Sequence, residues 1–215
     1  MRALLLACLL VFGCSQPLPT LGAEGGEATL LVASQRDTDT VVFVAFGADS
    51  AITSWPVCPP TSRLNCQFPL PRHSSVRLPL AGKYLNATLA VGAPPGCGTT
   101  KAELNLNNPK WFDTVDLSLV DGFNDPMGAT VVDKGASKTL GPVLRATGNE
   151  KAFGVFPYGC DICTARQSPP CGISPGGPGC KAGTQYKPDV PCQYQGVTKG
   201  GGAVVTITVL QEQPS

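Results

Sequence analysis

Charged side chains are scarce in this 215-residue chain: Asp, Glu, Lys and Arg make up 14% of it, against a usual ~25%. That scarcity excludes a coiled coil or a helix-rich bundle, whose outer faces carry charge. The charges also balance, with 16 Lys+Arg against 15 Asp+Glu, and no basic run occurs. Without a basic patch there is no electrostatic basis for binding nucleic acid or an anionic membrane. The single histidine, His73, lies in a Pro-rich loop and reads as exposed and incidental, since one imidazole builds no multi-histidine metal site. No phosphate loop, dinucleotide fingerprint or calcium loop is present, so no cofactor and no metal is expected. Beyond the N-terminus no segment reaches the ~18 uninterrupted apolar residues of a membrane span.

Glycine and proline are plentiful instead, at 25 and 21 residues, together about a fifth of the chain against a usual ~12%. Apolar content is 42% with several Val-rich runs, enough to build a core. The implied class is a turn-rich, mainly β globule. Met1-Arg2 followed by the apolar run Ala3 to Gly13 fits a signal peptide and is too short to cross a bilayer. Cleavage after Ser15 and after Ala23 both fit. Alternatively, Val11-Phe12-Gly13-Cys14 is a lipobox, with a lipid anchor on Cys14. The mature chain is thus expected to be secreted, or lipid-anchored at the cell surface. Loss of Arg2 leaves it formally neutral.

With Cys8 and Cys14 set aside, eight of the ten cysteines remain: Cys58, Cys66, Cys97, Cys160, Cys163, Cys171, Cys180 and Cys192. An even number in an exported chain reads as a disulfide framework, with about 105 complete pairings. Four thiolates at Cys160, Cys163, Cys171 and Cys180 are a zinc alternative, which export disfavours.

Apolar β-branched runs at Ala28 to Val32 and Thr40 to Phe46 read as a strand, a turn and a second strand. Trp55 to Arg72 holds five prolines, with Cys58 and Cys66, and reads as a stapled loop. Ser75 to Leu80 and Tyr84 to Val91 are strand-like around a turn at Gly82. Asn86-Ala87-Thr88 is an N-glycosylation sequon in a eukaryotic secretory route. From Lys101 to Leu119 the alternation predicts a hairpin with one core face and one polar face. A turn centred between Pro109 and Lys110 places Glu103 opposite Asp116, and repulsion between two facing carboxylates raises one pKa. Thr130 to Val132, Val143 to Ala146, Ala152 to Phe156 and Ala203 to Leu210 complete the strands. Tyr158 to Gln195 contains five cysteines and few apolar runs, so covalent links must hold its loops. The organisation expected is a signal segment over 1–23, a sandwich core over 24–157, a cystine-rich lobe over 158–195, and a last strand and tail over 196–215.

Two blocks resemble a known family. Thr99-Thr100-Lys101-Ala102-Glu103-Leu104 is similar to the Thr-Leu-Ala-Glu-Phe segment of thaumatin-like proteins. Asp116-Leu117-Ser118-Leu119-Val120-Asp121-Gly122-Phe123-Asn124-Asp125-Pro126-Met127 closely follows that family's Asp-Val-Ser-Leu-Val-Asp-Gly-Phe-Asn-x-Pro-Met signature. Ala28 to Phe46 resembles its N-terminal hairpin, without the usual early cysteine, and Cys160 to Cys192 a reduced form of its disulfide-rich domain. The resemblance implies an antiparallel β-sandwich, a small disulfide-rich lobe and an acidic cleft associated with β-1,3-glucan. Glu103, Asp116 and Asp121 match the cleft's Glu and first two Asp. The cleft Arg is missing: Ala93-Pro94-Pro95-Gly96 stands in its place, and Lys101 is the nearest cation without being aligned. The third Asp is missing too, because Cys192 is followed by Gln193-Tyr194, with Asp189 nearby but outside the motif.

The function expected from this resemblance is carbohydrate binding by a monomer, with Glu103, Asp116 and Asp121 receiving sugar hydroxyls and Phe112 and Tyr158 stacking against sugar rings. A defence role against glucan-walled cells goes with it. One alternative is a weak endo-β-1,3-glucanase with Glu103 as acid and Asp121 as nucleophile or base. The other is a structural or partner-binding secreted domain with no sugar ligand. Phe123, Trp55 and Trp111 read as packing residues.

Overall fold

Alternation of buried apolar and outward polar residues builds two facing sheets. In the computed structural model the described residues are 28–96, 99–118, 124–143, 161–163, 184–186, 193–199 and 201–211. The strands in chain order are β1 (Thr29–Ser34), β2 (Thr40–Phe46), β3 (Pro60–Ser62), β4 (Asn65–Leu70), β5 (Ser75–Pro79), β6 (Leu85–Val91) and β7 (Lys101–Leu106). They continue with β8 (Phe112–Ser118), β9 (Met127–Asp133), β10 (Ala136–Val143), β11 (Asp161–Cys163), β12 (Thr184–Tyr186), β13 (Gln193–Lys199) and β14 (Val204–Val209). One sheet has the order β10-β9-β14-β1-β5, the other β13-β8-β7-β6-β2-β4-β3, and β11 pairs with β12 alone. Among the described ladders only β1 with β14 is parallel. Leu30, Val32, Leu78, Val131, Val205 and Ile207 from the smaller sheet share one core with Val42, Val44, Phe68, Leu89, Leu104 and Leu117 from the larger. The protein is therefore an all-β sandwich.

The first two strands lie where expected but do not form a hairpin. β1 pairs with β14 and β5, whereas β2 pairs with β4 and β6, in the other sheet. β5 and β6 likewise belong to different sheets, joined through Ala81 and Gly82 with φ of 48° and 69° and the bond from Lys83 N–H to Leu80 O at 2.9 Å. Each of these connections carries the chain across the core.

The Trp55 to Arg72 segment is stapled by a Cys58–Cys66 disulfide, yet it also holds β3 and β4. Proline is tolerated within β4 by register. Phe46 N–H donates to Leu64 O, so the hydrogen-bonded pairs with β2 fall on the even residues of β4. Pro69, opposite Val41, has no inward donor to supply.

The β7–β8 hairpin has the expected register, Glu103 opposite Asp116. β9 contains Thr130 to Val132, and β14 lies within Ala203 to Leu210. Only Val143 of the Val143 to Ala146 run falls in a described strand, β10. Ala152 to Phe156, the 1–23 segment, Cys97, Cys160, Cys171, Cys180 and Cys192 lie outside the described residues, as does most of 158–195. Cys163 is placed only as the end of β11. Gln193–Lys199, which begins inside that span, pairs with β8 at the edge of the larger sheet. Among the described residues no helix is long and apolar enough to cross a membrane, and no group of three or more His, Cys, Asp or Glu could hold a metal ion.

One buried carboxylate locks the turn end of the β7–β8 hairpin to the start of the final strand. Asp113 accepts Asn107 N–H at 2.7 Å and Ala203 N–H at 3.3 Å, and burial pushes its carboxyl above the ordinary range against the pull of those donors. Gly201, with φ +74°, passes so close that a Cβ there would lie 2.4 Å from Asn107 Oδ1 and 2.7 Å from Asp113 Oδ1. Gly201→Ala is expected to cost about 2–3 kcal/mol, combining left-handed backbone strain with displacement of this carboxylate. Urea denaturation checks it, and a loss under about 0.5 kcal/mol would show that the loop relaxes freely.

Candidate functional site

The outer face of the larger sheet gathers the chemistry. Ala102, Leu104 and Leu106 of β7 enter the core, so Lys101, Glu103 and Asn105 face outward. On β8, Phe112, Thr114, Asp116 and Ser118 have the matching parity. Cross-strand pairing sets Ala45, Thr88, Glu103 and Asp116 in one row over four strands.

β7 has one buried and one partly open face, as expected, but β8 does not. From Asp113 to Ser118 every residue of β8 is buried, so the polar face predicted for this strand is polar yet enclosed. Asp116 is only 5% exposed, and among the described residues its Oδ1 has no hydrogen-bond partner. Burial, then the facing Glu103, pushes its carboxyl up to about 7, while Lys101 and the Leu117 N–H pull the other way. Glu103 keeps 45% of its side chain exposed, and its Oε1 lies 3.8 Å from Lys101 Nζ. The raised carboxyl is thus Asp116, whereas the acid role was expected at Glu103. Burial, which depends on the whole fold, makes the difference.

Phe112 is half-buried on the same face, four residues from Asp116 along β8. Asp121 and Tyr158, the other expected ligand contacts, and Asp189 lie outside the described residues. Lys101, two residues from Glu103 on the same face of β7, lies beside this row, though it matches no motif position.

Below this row runs a string of amides. Asn86 Nδ2 donates to Asp49 Oδ1 at 2.8 Å, Tyr84 O–H donates to Asn105 Oδ1 at 2.9 Å, and Asn108 Nδ2 donates to the same oxygen at 3.0 Å. Asn105 Nδ2 closes the string on Phe112 O at 2.9 Å. The sequon asparagine, Asn86, is therefore committed to Asp49, whose carboxyl this contact holds below the ordinary range.

The end of the signature block is structural. Asn124 Oδ1 accepts Thr100 N–H at 2.8 Å, and its Nδ2 donates to Val91 O at 2.7 Å. Asp125 forms an ion pair with Arg36. These contacts anchor Thr100, and with it the strand that presents Lys101 and Glu103. Tyr194 of β13 donates to Asp133, and burial followed by this bond raises its phenol.

The two tryptophans behave oppositely. Trp55 is buried, its ring 5.4 Å from Phe46 and its Nε1–H donating to Pro79 O at 3.0 Å. Trp111 is 46% exposed, so the packing role expected for both holds only for Trp55.

No protein-family model matches the chain.

Proposed function

We propose that the protein is an exported, thaumatin-like carbohydrate-binding protein that recognises β-1,3-glucan-type polysaccharide through the outer face of β7 and β8. One observation carries this reading: Asp116 is buried beside Glu103 with an oxygen that has no partner among the described residues. An orphaned buried polar atom is costly; Asp116 itself is enclosed, so a sugar meets this pair through the exposed carboxylate of Glu103. Glu103 and Lys101 flank it with an exposed acceptor and a donor, the few convergent polar groups of a ligand site. A defence role against glucan-walled cells follows from the same ligand.

A second reading, weak endo-β-1,3-glucan hydrolysis, is favoured by the Asp116 carboxyl at about 7, which leaves about half of it protonated at neutrality and so suits a general acid. Directly opposed residues have Cβ atoms ~4.5–5.5 Å apart, close to the ~5–5.5 Å carboxyl separation of retaining glycosidases. Glu103 would then be the nucleophile, in place of the expected pairing of Glu103 with Asp121.

The test is co-sedimentation of mature protein with insoluble β-1,3-glucan. The wild type is expected to pellet, and Glu103→Gln to bind about fivefold more weakly or worse, as for a lost charged hydrogen bond. A wild type that stays in the supernatant overturns the glucan reading in favour of a structural or partner-binding domain. Unchanged binding by Glu103→Gln moves the site elsewhere. Reducing sugar released from laminarin separates enzyme from binder.

A further inference from the structure

We propose that Trp111 is an aromatic platform for a pyranose ring, forming a second subsite at the tip of the β7–β8 hairpin for the same glucan chain that meets Glu103 and Asp116. This deepens the carbohydrate reading and rests on it. Trp111 is, with Val57, one of two large hydrophobic residues exposed among the described residues. Its backbone is held, because its N–H donates to Asn108 O at 3.3 Å and Lys110 N–H donates to Asn108 Oδ1 at 2.9 Å. Its ring is also held, edge-on against Phe112 with centroids 5.6 Å apart and planes at 71°. An edge-on neighbour steadies an indole while leaving a face free. The contrast with Trp55, whose indole N–H is satisfied inside the fold, marks Trp111 as presented outward.

Placement ties this ring to the acidic row. Phe112 and Asp116 share one face of β8, about 13 Å apart at the rise of an extended strand. Between them Thr114 is buried, and across the pair Asn105 is half-buried, with one amide N–H beyond its bonds to Tyr84, Asn108 and Phe112. The track therefore has the exposed Glu103 carboxylate at one end, the half-buried Asn105 amide in the middle and an aromatic plate at the other. A sugar chain carries the same pattern, polar hydroxyls around apolar ring faces. A peptide or nucleic acid would want a different pattern, since the track offers neither an open strand edge nor a basic stripe.

Trp111 can be tested with the mature protein because the chain has only two tryptophans and the other is buried. Insoluble β-1,3-glucan and soluble laminarihexaose serve as probes for wild type, Trp111→Ala and Trp111→Phe, each checked by thermal melting. Trp111→Ala is expected to bind roughly tenfold more weakly and Trp111→Phe within about threefold of wild type. Laminarihexaose is expected to shield the wild-type fluorescence from acrylamide. If the wild type binds glucan while Trp111→Ala binds equally well, or while Trp111 stays open to acrylamide, the platform is overturned and the carbohydrate reading survives. If the wild type does not bind glucan, both fall together.

Discussion

Arg36→Met is expected to destabilise the protein by about 3–5 kcal/mol, the cost of removing a cation from beside a buried carboxylate. Arg36 lies in the connection that carries the chain from β1 in one sheet to β2 in the other. Its guanidinium pairs with Asp125, and the two side chains are 14% and 7% exposed. Asp125 Oδ2 also accepts Asn124 Nδ2 at 3.2 Å, and a Cβ at Gly92 would come within 3.0 Å of that oxygen. The carboxylate is thus enclosed on several sides and cannot turn out to water when the cation is removed. Because Asn124 and Asp125 also take up Thr100 at the start of β7, the loss reaches the strand that presents Lys101 and Glu103. The double variant Arg36→Met with Asp125→Asn is expected to recover most of the stability, since the enclosed site then holds an amide in place of a carboxylate that has lost this cation. Urea denaturation of the four proteins of this cycle checks it. A single-variant loss below about 1 kcal/mol would show that the pair behaves as a surface ion pair.

Short-range pattern made much of this architecture readable. The β7–β8 hairpin was legible to the residue: period-two alternation marks both strands, and a turn at Pro109-Lys110 leaves one register that keeps Leu104 and Val115 on the same side. The assignment of strands to sheets was not legible. Polar residues at 35–39 between β1 and β2 look the same whether the chain turns back within a sheet or crosses to the facing one. Only the long-range pairing of β1 with β14, from opposite ends of the chain, decides between them. β10 was missed because Ala136 to Thr139 is exposed throughout and shows no apolar alternation.

The same divide runs through the site. Residue types and spacing brought Glu103 and Asp116 together, but their difference in burial comes from what surrounds β8 and has no local signature. Thr114, Asp116 and Ser118 read as an open polar face and are enclosed. Trp111 shows the converse. A tryptophan beside a turn reads as packing by composition, and only the tertiary structure shows how much of it stands in solvent. Arg36, the partner of Asp125, sits 89 residues away in sequence, in a loop whose other charges, Asp37 and Asp39, are exposed.

Asp116→Asn is expected to abolish a pH-dependent term in stability worth up to about 4 kcal/mol. The folded-state carboxyl is pushed from 3.8 up to about 7, first by burial and then by Glu103. A carboxyl raised on folding binds its proton more tightly in the native state. Its contribution is therefore complete below about pH 4, where both states are protonated, and is lost as pH rises through about 7. Above that, the fold must hold a buried carboxylate, which Lys101 only partly offsets. The amide introduced by Asp116→Asn cannot ionise, so the stability difference between variant and wild type is expected to shift in the variant's favour between pH 4 and pH 8, by about 2–4 kcal/mol. Two further variants distinguish the causes. Glu103→Gln removes the facing charge and should lower the wild-type midpoint, while Lys101→Met removes the compensating cation and should raise it. Chemical denaturation across this range, with the Asp116 carboxyl followed by NMR, measures both quantities. A difference between Asp116→Asn and wild type that stays constant from pH 4 to pH 8 would mean that Asp116 is ionised or solvated throughout. The unpartnered oxygen would then lose its claim to mark a ligand site.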